Sequence, residues 1–153
     1  MKYKNIFLGL GSNLGDREVH LQRAIALLEE DECVQIKKKS TVIETEPIGH
    51  TEQGAFLNQV IQIETSYDPY SLLQKCLKIE KSSGRIREEK WGPRTLDIDI
   101  LFFGETVLQS DGLKIPHPEA SNRAFVLLPL AEIAPTFQHP VSGQQIEAML
   151  HLL

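Results

Sequence analysis

The sequence of 153 residues contains few cysteines, no long apolar run and no excess of positive charge. Its two cysteines, Cys33 and Cys76, form neither a Cys-x-x-Cys pair nor a disulfide framework, which favours a reduced, cytoplasmic setting. No stretch approaches the roughly 20 apolar residues of a membrane span, and the short apolar run after Met1 does not make a signal peptide. The net charge of −5 argues against a general nucleic-acid-binding protein.

The sequence also contains no repeats and no low-complexity segments, so its length can be used to estimate the number of domains. A chain of this size buries roughly two-thirds of the surface of its unfolded state. Its residues are 41% hydrophobic and 24% charged, which is ordinary for a globular protein. We therefore expect residues 1–153 to form one domain, most simply a monomer, whose partners are small molecules rather than nucleic acid or membrane.

The spacing of apolar residues predicts an α+β fold. Strands are expected at 6–10, 34–44, 55–65 and 95–103, and helices at 16–30 and from Asp68 to Gly84. This βαββαβ order is typical of a ferredoxin-like antiparallel sheet with two helices on one face. Added C-terminal helices, within 121–134 with a break at Pro129 and at 144–152, would cover the other face as a three-layer α/β/α arrangement. A small doubly wound domain is disfavoured, because two strands follow each other without a helix between them.

Two further segments have local signals. Gly104-Glu105 is expected to turn the chain into a hairpin with the apolar residues that follow. Asn13 or Asp16 is expected to cap the first helix, and Asp68-Pro69 to begin the second. The glycines near Gly11 lack the Lys-Ser/Thr of a phosphate-binding P-loop, and we expect them to let the backbone approach a ligand or a neighbouring strand.

The stretch 84–103 carries the strongest chemical signal. Asp97 and Asp99 alternate with apolar residues on a predicted strand, so both carboxylates point to one face with their roots about 6–7 Å apart. Like charges held so close favour a cation between them, and Mg²⁺ in proteins takes one or two carboxylates together with substrate phosphates. Four cations stand just upstream, and arginine forks match phosphate oxygens: Arg85, Arg87, Lys90 and Arg94. The combination predicts phosphoryl-type transfer from a nucleotide.

Each of these features also has a plain structural interpretation. An Asp-x-Asp pair is a short pattern that also occurs in surface salt bridges, and a charged loop is often only solvated. Trp91 favours a functional loop, because its large apolar surface needs cover. Glu80 lies at the end of a buried helical stripe, where a salt bridge to an arginine is as good an explanation as a binding role.

Six motifs stand in one order along nearly the whole chain: Gly11-Ser12-Asn13-Leu14-Gly15-Asp16, Phe56-Leu57-Asn58, Arg85-Ile86-Arg87, Trp91-Gly92-Pro93-Arg94-Thr95-Leu96-Asp97-Ile98-Asp99-Ile100, Pro116-His117-Pro118 and Asn122-Arg123-Ala124-Phe125. Together they resemble the 6-hydroxymethyl-7,8-dihydropterin pyrophosphokinases. The block from Trp91 to Ile100 is highly specific to that family. The sequence departs from the usual family pattern at Lys90, Gly112, Lys114 and Pro118.

The resemblance implies an ATP-dependent diphosphokinase of folate biosynthesis. Such an enzyme moves pyrophosphate from ATP to the hydroxymethyl group of a reduced pterin and leaves AMP, with two Mg²⁺ ions expected. The resemblance implies that Asp97 and Asp99 are the metal ligands. It also implies that these two aspartates, together with Arg85 and Arg94, are the catalytic residues. The implied ATP-binding residues are Glu80, Arg87, Arg94, Ile100, His117 and Arg123. The implied pterin-binding residues are Thr45, Pro47, Ile48, Phe56, Asn58, Trp91 and Phe125. Trp91 would also anchor a loop that closes on ATP.

Alternatives remain open at this stage. His117 could be a surface histidine between prolines. Phe56 and Phe125 could be ordinary core residues, and Arg123 could cap a turn. A different metal-dependent nucleotidyl or phosphoryl transferase would share the aspartates but have no use for Asn58 and Phe125 in a pterin slot. A non-catalytic binding module of the same fold would not need an aspartate pair beside four cations.

Overall fold

The structure, a computed structural model, describes residues 1–45, 55–83 and 95–153. No helix in these three ranges is long and apolar enough to cross a membrane. The elements in chain order are β1 (Tyr3–Ser12), α1 (Arg17–Glu29), β2 (Val34–Lys39), β3 (Ile43–Thr45), β4 (Phe56–Thr65), α2 (Pro69–Ser82), β5 (Asp97–Phe103), β6 (Leu108–Ser110), β7 (Leu113–Ile115), α3 (Ala124–Ile133) and α4 (Ile146–His151).

The main sheet has the strand order β2-β4-β1-β5, and every pair in it is antiparallel. β3 continues the β2 edge by pairing with the first residues of β4. This order confirms the predicted ferredoxin-like sheet and excludes the doubly wound alternative, whose strands would run parallel. The central strands β1 and β4 are buried along most of their length because both of their faces are covered.

Two apolar cores lie on opposite faces of the sheet. α1 and α2 cover one face, with Leu21, Leu28 and Leu72 among its buried residues. α3 and α4 cover the other, with Leu127 and Met149. The expected three-layer arrangement is therefore confirmed.

The alternation predicted for β5 is also present. Leu96, Ile98 and Ile100 belong to the core beneath α1 and α2, as predicted. A register shift between Phe7 and Leu8 opposite this strand then leaves Leu101 and Phe102 together in the other core. A β-bulge of this kind re-aims side chains beyond it, which confines the regular alternation to residues 96–100.

The helix starts follow the predicted caps. The Asp16 carboxylate accepts a hydrogen bond from the Val19 amide at 3.3 Å. The Asp68 carboxylate accepts one from the Ser71 amide at 2.8 Å, with Pro69 at the first helical position. Each cap satisfies an amide that has no partner within its own helix.

Two predictions about the connections are wrong. The segment 34–44 is two strands, because the chain leaves the ladder at Ser40, whose hydroxyl accepts a hydrogen bond from the Val60 amide at 2.9 Å. The chain after Gly104 does not pair with β5. Instead, β6 pairs with β7 around Asp111-Gly112, with Gly112 at φ +86°. The outer edge of β5 is already used: its Ile98 amide donates to Glu80, and its Leu101 carbonyl accepts from the His117 amide.

Pro129 does not break the helix in the C-terminal region. α3 runs through it from Ala124 to Ile133. A proline inside a helix costs about 3 kcal/mol. Val126, Leu127 and Leu130 are buried here, and each fully buried apolar side chain contributes roughly 1.5–3 kcal/mol, so packing outweighs the lost hydrogen bond.

His139 gives the fold a dependence on pH. Its Nδ1 accepts hydrogen bonds from the Val141 and Ser142 amides at 3.1 and 3.3 Å, and its ring meets the Phe102 ring edge-on at 5.5 Å. Burial lowers the pKa of His139 below its usual value of 6.5. The unfolded chain therefore binds a proton more readily, so this contribution to stability is present above pH 6.5 and lost as pH falls through the lowered pKa.

We expect the melting temperature of the His139→Asn variant to fall less between neutral pH and pH 5 than that of the unaltered protein. Asparagine accepts hydrogen bonds from amides two and three residues on but does not titrate. Thermal unfolding followed by circular dichroism at several pH values measures the difference. Parallel curves for the two proteins would contradict the assignment.

Candidate active site

Three neighbouring strands bring the predicted pterin residues and the aspartate pair to one face of the sheet. Gly11 on β1 is paired with Asn58 of β4 on one side and with Asp97 of β5 on the other. The next row pairs Gly9 with Asp99. Since directly opposed residues of an antiparallel pair share a face, Asn58 and the two carboxylates point the same way.

The aspartates are accessible. Asp97 is half-buried and Asp99 is exposed. Their backbone is held from two sides. The Glu80 carboxylate, itself only 3% exposed, accepts a hydrogen bond at 2.8 Å from the amide of Ile98, the residue between them. The buried Ser12 hydroxyl donates to the Thr95 carbonyl at 2.5 Å, just where the β1–β5 ladder ends. These bonds fix the direction in which both carboxylates leave the strand.

A pocket of about 330 Å³ opens along the outer edge of β5. Its lining combines apolar side chains with a carboxylate, an ammonium and an imidazole: Leu73, Ile98, Asp99, Ile100, Gly112, Leu113, Lys114, His117 and Pro118. A cavity that combines apolar side chains with convergent polar groups is a candidate small-molecule site.

His117 is fixed beside this pocket by its own backbone. Its amide donates to the Leu101 carbonyl at 2.9 Å. Its Nδ1 accepts a hydrogen bond from the Glu119 amide at 3.2 Å. A neutral imidazole that accepts at Nδ1 carries its proton on Nε2, which leaves Nε2–H as a donor. The histidine is therefore an ordered part of the pocket wall.

The predicted pterin residues Thr45, Phe56 and Asn58 lie together where β3 meets β4. The Asn58 amide donates to the Thr45 hydroxyl at 2.7 Å, and Thr45 is paired with Phe56 across the two strands. Asn58 is 8% exposed, so its orientation is set by these neighbours. Arg17 holds the same strands from below: its guanidinium donates to the Ala55 carbonyl at 2.5 Å and lies 3.6 Å from the Glu44 carboxylate.

Arg123 and Phe125 lie at the start of α3, which packs over β4. The Arg123 guanidinium stands 5.4 Å from the centroid of the Phe125 ring and forms an ion pair with Glu119. Arg123 is the N-cap residue of α3, but its side chain makes no capping hydrogen bond. Its charge is therefore directed to Phe125 and Glu119 rather than to the helix end.

Six predicted site residues lie outside the described residues. They are Pro47, Ile48, Arg85, Arg87, Trp91 and Arg94. Conversely, sequence reasoning gave no role to Ser12, Arg17 or Leu73 and treated Lys114 only as a departure from a family pattern. Ser12 and Arg17 are marked by hydrogen-bond partners tens of residues away, and Leu73 and Lys114 by the pocket that they line. Neither feature leaves a periodic signal in the sequence.

Cys76 lies beneath the aspartate strand and is fully buried. Burial, followed by the charges of Glu80 and Asp99, raises the pKa of the Cys76 thiol to about 12. A thiol with that pKa stays protonated at neutral pH and is a poor nucleophile. Cys76 therefore contributes to this region by packing in the core.

Comparison with known proteins identifies the family. The sequence pattern of the family described as 7,8-dihydro-6-hydroxymethylpterin-pyrophosphokinase matches residues 7–135. The curated 2-amino-4-hydroxy-6-hydroxymethyldihydropteridine pyrophosphokinase of Bacillus subtilis (strain 168) is 46% identical over 127 residues, covering 83% of this chain and 76% of that protein. The protein of the same name from Aquifex aeolicus is 46% identical over 136 residues, with 89% and 84% covered.

Solved structures agree on the fold. The Plasmodium falciparum HPPK-DHPS structure with pteroate superposes with a TM-score of 0.75 at 19% identity and covers 99% of this chain. This chain spans 42% of the length of that one. At such an identity the likeness concerns the fold alone.

The fold and the relatives define an ATP-dependent transferase of the kinase class. Within that class, the chain belongs to the 7,8-dihydro-6-hydroxymethylpterin-pyrophosphokinase family. Its reaction is pyrophosphoryl transfer from ATP to hydroxymethyldihydropterin in folate synthesis.

Proposed function

We propose that three groups of residues divide this reaction between them. Thr45, Phe56 and Asn58, with Phe125 above them, bind the pterin. Asp97 and Asp99 hold the metal and phosphates, and the pocket at the edge of β5 receives the rest of the nucleotide. The observation that carries the proposal is the cross-strand row Asn58, Gly11, Asp97, which sets a heterocycle-reading amide and a metal-binding carboxylate on one face.

Mg²⁺ suits the oxygen atoms at this site. In the described ranges no cluster of three or more His, Cys, Asp or Glu side chains could hold a metal ion. Two accessible carboxylates on one face match a cation that takes one or two protein carboxylates and completes its shell with phosphates and water. Asp97 and Asp99 would hold it. Bound there, Mg²⁺ neutralises charge on the transferred group, and we propose two ions.

The protein's own contribution is positioning. Glu80 and Ser12 fix the aspartate strand, and the His117 Nε2–H is a donor for a phosphate oxygen on the pocket wall. Arg123 supplies a further cation for phosphate beside Phe125. Phosphoryl transfer needs little covalent chemistry from the enzyme, so orientation and fixed charge can supply most of the rate without a protein general base.

The edge pocket suits a nucleotide base and ribose. Ile98, Ile100 and Leu113 give it an apolar wall for a flat ring, and Lys114 and His117 give it donors for oxygen atoms. The Glu80 carboxylate accepts a hydrogen bond from the amide of Ile98, which lines this pocket. We therefore propose that Glu80 contributes to nucleotide binding by holding the strand in place. The roles of Arg85, Arg87, Arg94, Trp91, Pro47 and Ile48 stay predictions.

The Asn58→Ala variant should bind the pterin less tightly and ATP normally. The lost amide leaves polar groups of the heterocycle unpaired, which costs roughly 1–3 kcal/mol, or about five- to 150-fold in affinity. Titration calorimetry with each substrate analogue alone measures both affinities. Lys114→Ala should show the reverse pattern, with weaker nucleotide and unchanged pterin binding.

A matched control is available on the same strand. Gln62 is an amide on the same face of β4, four residues from Asn58, and it donates to the Asn5 side chain at 3.3 Å. Gln62→Ala should leave both affinities unchanged. If Asn58→Ala weakened both ligands equally, the assignment of the pterin side would be wrong.

We also propose that residues 1–153 act as a single-domain monomer in the cytoplasm, with no nucleic-acid partner. The negative net charge supports the last point. Light scattering should give a mass near 17.3 kDa with and without substrates. A mass twice as large at micromolar concentration would replace the monomer by a dimer.

A further inference from the structure

Gly11 lies where the pterin side and the phosphate side of the site adjoin. It is the β1 residue between Asn58 and Asp97 in one cross-strand row. Neighbouring strands lie about 4.8 Å apart, so the backbones of Asn58 and Asp97 are about 10 Å apart, with Gly11 midway. A pterin held by Asn58 and phosphates held opposite Asp97 therefore meet above this residue.

A side chain on Gly11 would point toward the proposed pterin residues. A Cβ built on Gly11 lies 3.4 Å from the Asn58 Oδ1 and 3.7 Å from the Phe56 ring carbon Cδ1. It is therefore on the face that carries the proposed pterin residues. By contrast, a Cβ on Gly9, two residues back along β1, meets the Leu101 side chain at 3.4 Å and none of the proposed pterin residues.

Folding does not explain the glycine. Gly11 is not among the glycines with positive φ, so its backbone conformation is open to any residue. The contacts that a Cβ would make are ordinary van der Waals distances. Glycine inside a strand or helix destabilises a protein by roughly 0.5–1 kcal/mol relative to alanine. What the glycine leaves out is the volume of a methyl group against Asn58 and Phe56.

We propose that Gly11 is a positioning residue whose missing side chain leaves room for the two reacting groups to meet. The inference rests on the substrate assignment proposed above. In the reaction, the hydroxymethyl oxygen forms a bond to the β phosphorus of ATP, and the bond from that phosphorus to the oxygen bridging to the α phosphorus breaks. AMP leaves with the electron pair, and the hydroxyl proton passes to water.

The expected effect of filling this volume is on the meeting of the substrates rather than on the binding of either one. Reacting atoms must approach to about 3–3.5 Å, and a displacement of 1 Å can cost a hundredfold in rate. A methyl group on Gly11 should shift either substrate by a distance of that order. The Gly11→Ala variant should therefore lose at least tenfold in kcat, and Gly11→Val at least a hundredfold.

The experiment measures steady-state kcat and KM, thermal unfolding, and calorimetric binding of Mg²⁺ with α,β-methylene-ATP. Gly11→Ala should match or exceed the melting temperature of the unaltered protein and bind the ATP analogue within about twofold. Its loss should appear in kcat, where a merely structural role would have no effect at a temperature at which the variant is folded. Gly9→Ala, on the same strand but facing Leu101, should keep kcat within about threefold.

Two results would overturn the inference: full kcat in both Gly11 variants, or a loss fully accounted for by a lower melting temperature. Neither would be confused with failure of the substrate assignment. That failure would appear as normal pterin affinity in Asn58→Ala, whereas failure of the Gly11 inference leaves the Asn58→Ala result intact.

Discussion

Replacing Asp97 or Asp99 with asparagine should lower turnover by at least about a thousandfold, the scale on which single electrostatic contributors act in catalysis. Asparagine keeps the shape of the side chain and removes its charge. The bound metal then loses an anionic ligand, and the transferred group loses its positioned counter-charge. Nucleotide affinity should fall less, since the pocket at the edge of β5 remains.

Stability should move in the opposite direction. In the free protein the exposed Asp99 carboxylate shares one face of a strand with Asp97 and is repelled by it, so losing the Asp99 charge should leave the melting temperature unchanged or slightly higher. Turnover and thermal unfolding measured on the same two variants separate a metal site from a structural salt bridge. A lower melting temperature with near-normal turnover would show that the pair serves the scaffold.

The second large effect is expected at Glu80. Glu80→Ala removes the acceptor for the buried Ile98 amide, which lies between the two aspartates. An unsatisfied buried amide costs roughly 1–3 kcal/mol. For a chain of this size each kcal/mol lowers the melting temperature by about 2–4 °C. Because the same bond orients the aspartates, kcat should also fall by about ten- to a hundredfold.

Glu80→Gln is the matched variant, since its amide oxygen can accept the same hydrogen bond. It should recover most of both the melting temperature and kcat. Assays are made at a temperature at which every variant is folded. If Glu80→Ala lowered the melting temperature but kept full kcat there, the buried carboxylate would support the fold only.

The sequence predicted the architecture well because its strong signals are local. The alternation of Ile98 and Ile100 with two aspartates, and the Asp68-Pro69 helix start, each depend on a few neighbouring residues. The order of the elements then restricts the sheet to few topologies. Even the shared face of Phe56 and Asn58 follows from strand periodicity alone.

The errors arose where distant contacts decide the structure. Gly104 does begin a turn, but Glu80 and the His117 amide already use the outer edge of β5, so β6 pairs elsewhere. Buried neighbours carry α3 through Pro129 although its local propensity is poor. The break at Ser40 depends on Val60.

For the candidate site, the sequence motifs named residues but not their mutual positions. The register of β1 brings Asn58 and Asp97 to opposite sides of one glycine. The edge pocket adds Leu73 and Lys114, which come from separate elements. Side chains such as Ser12 and Arg17 act on residues far along the chain, and only the fold reveals those partners.

The most direct test of pyrophosphoryl transfer is to determine which product carries each phosphate of ATP. The protein is incubated with Mg²⁺, 6-hydroxymethyl-7,8-dihydropterin and ATP radiolabelled either at the β or at the γ phosphorus, and the products are separated. Pyrophosphoryl transfer predicts that both labels move to the pterin and that the released nucleotide is unlabelled AMP. Retention of the β label in ADP, or no pterin-dependent conversion of ATP, would contradict the account.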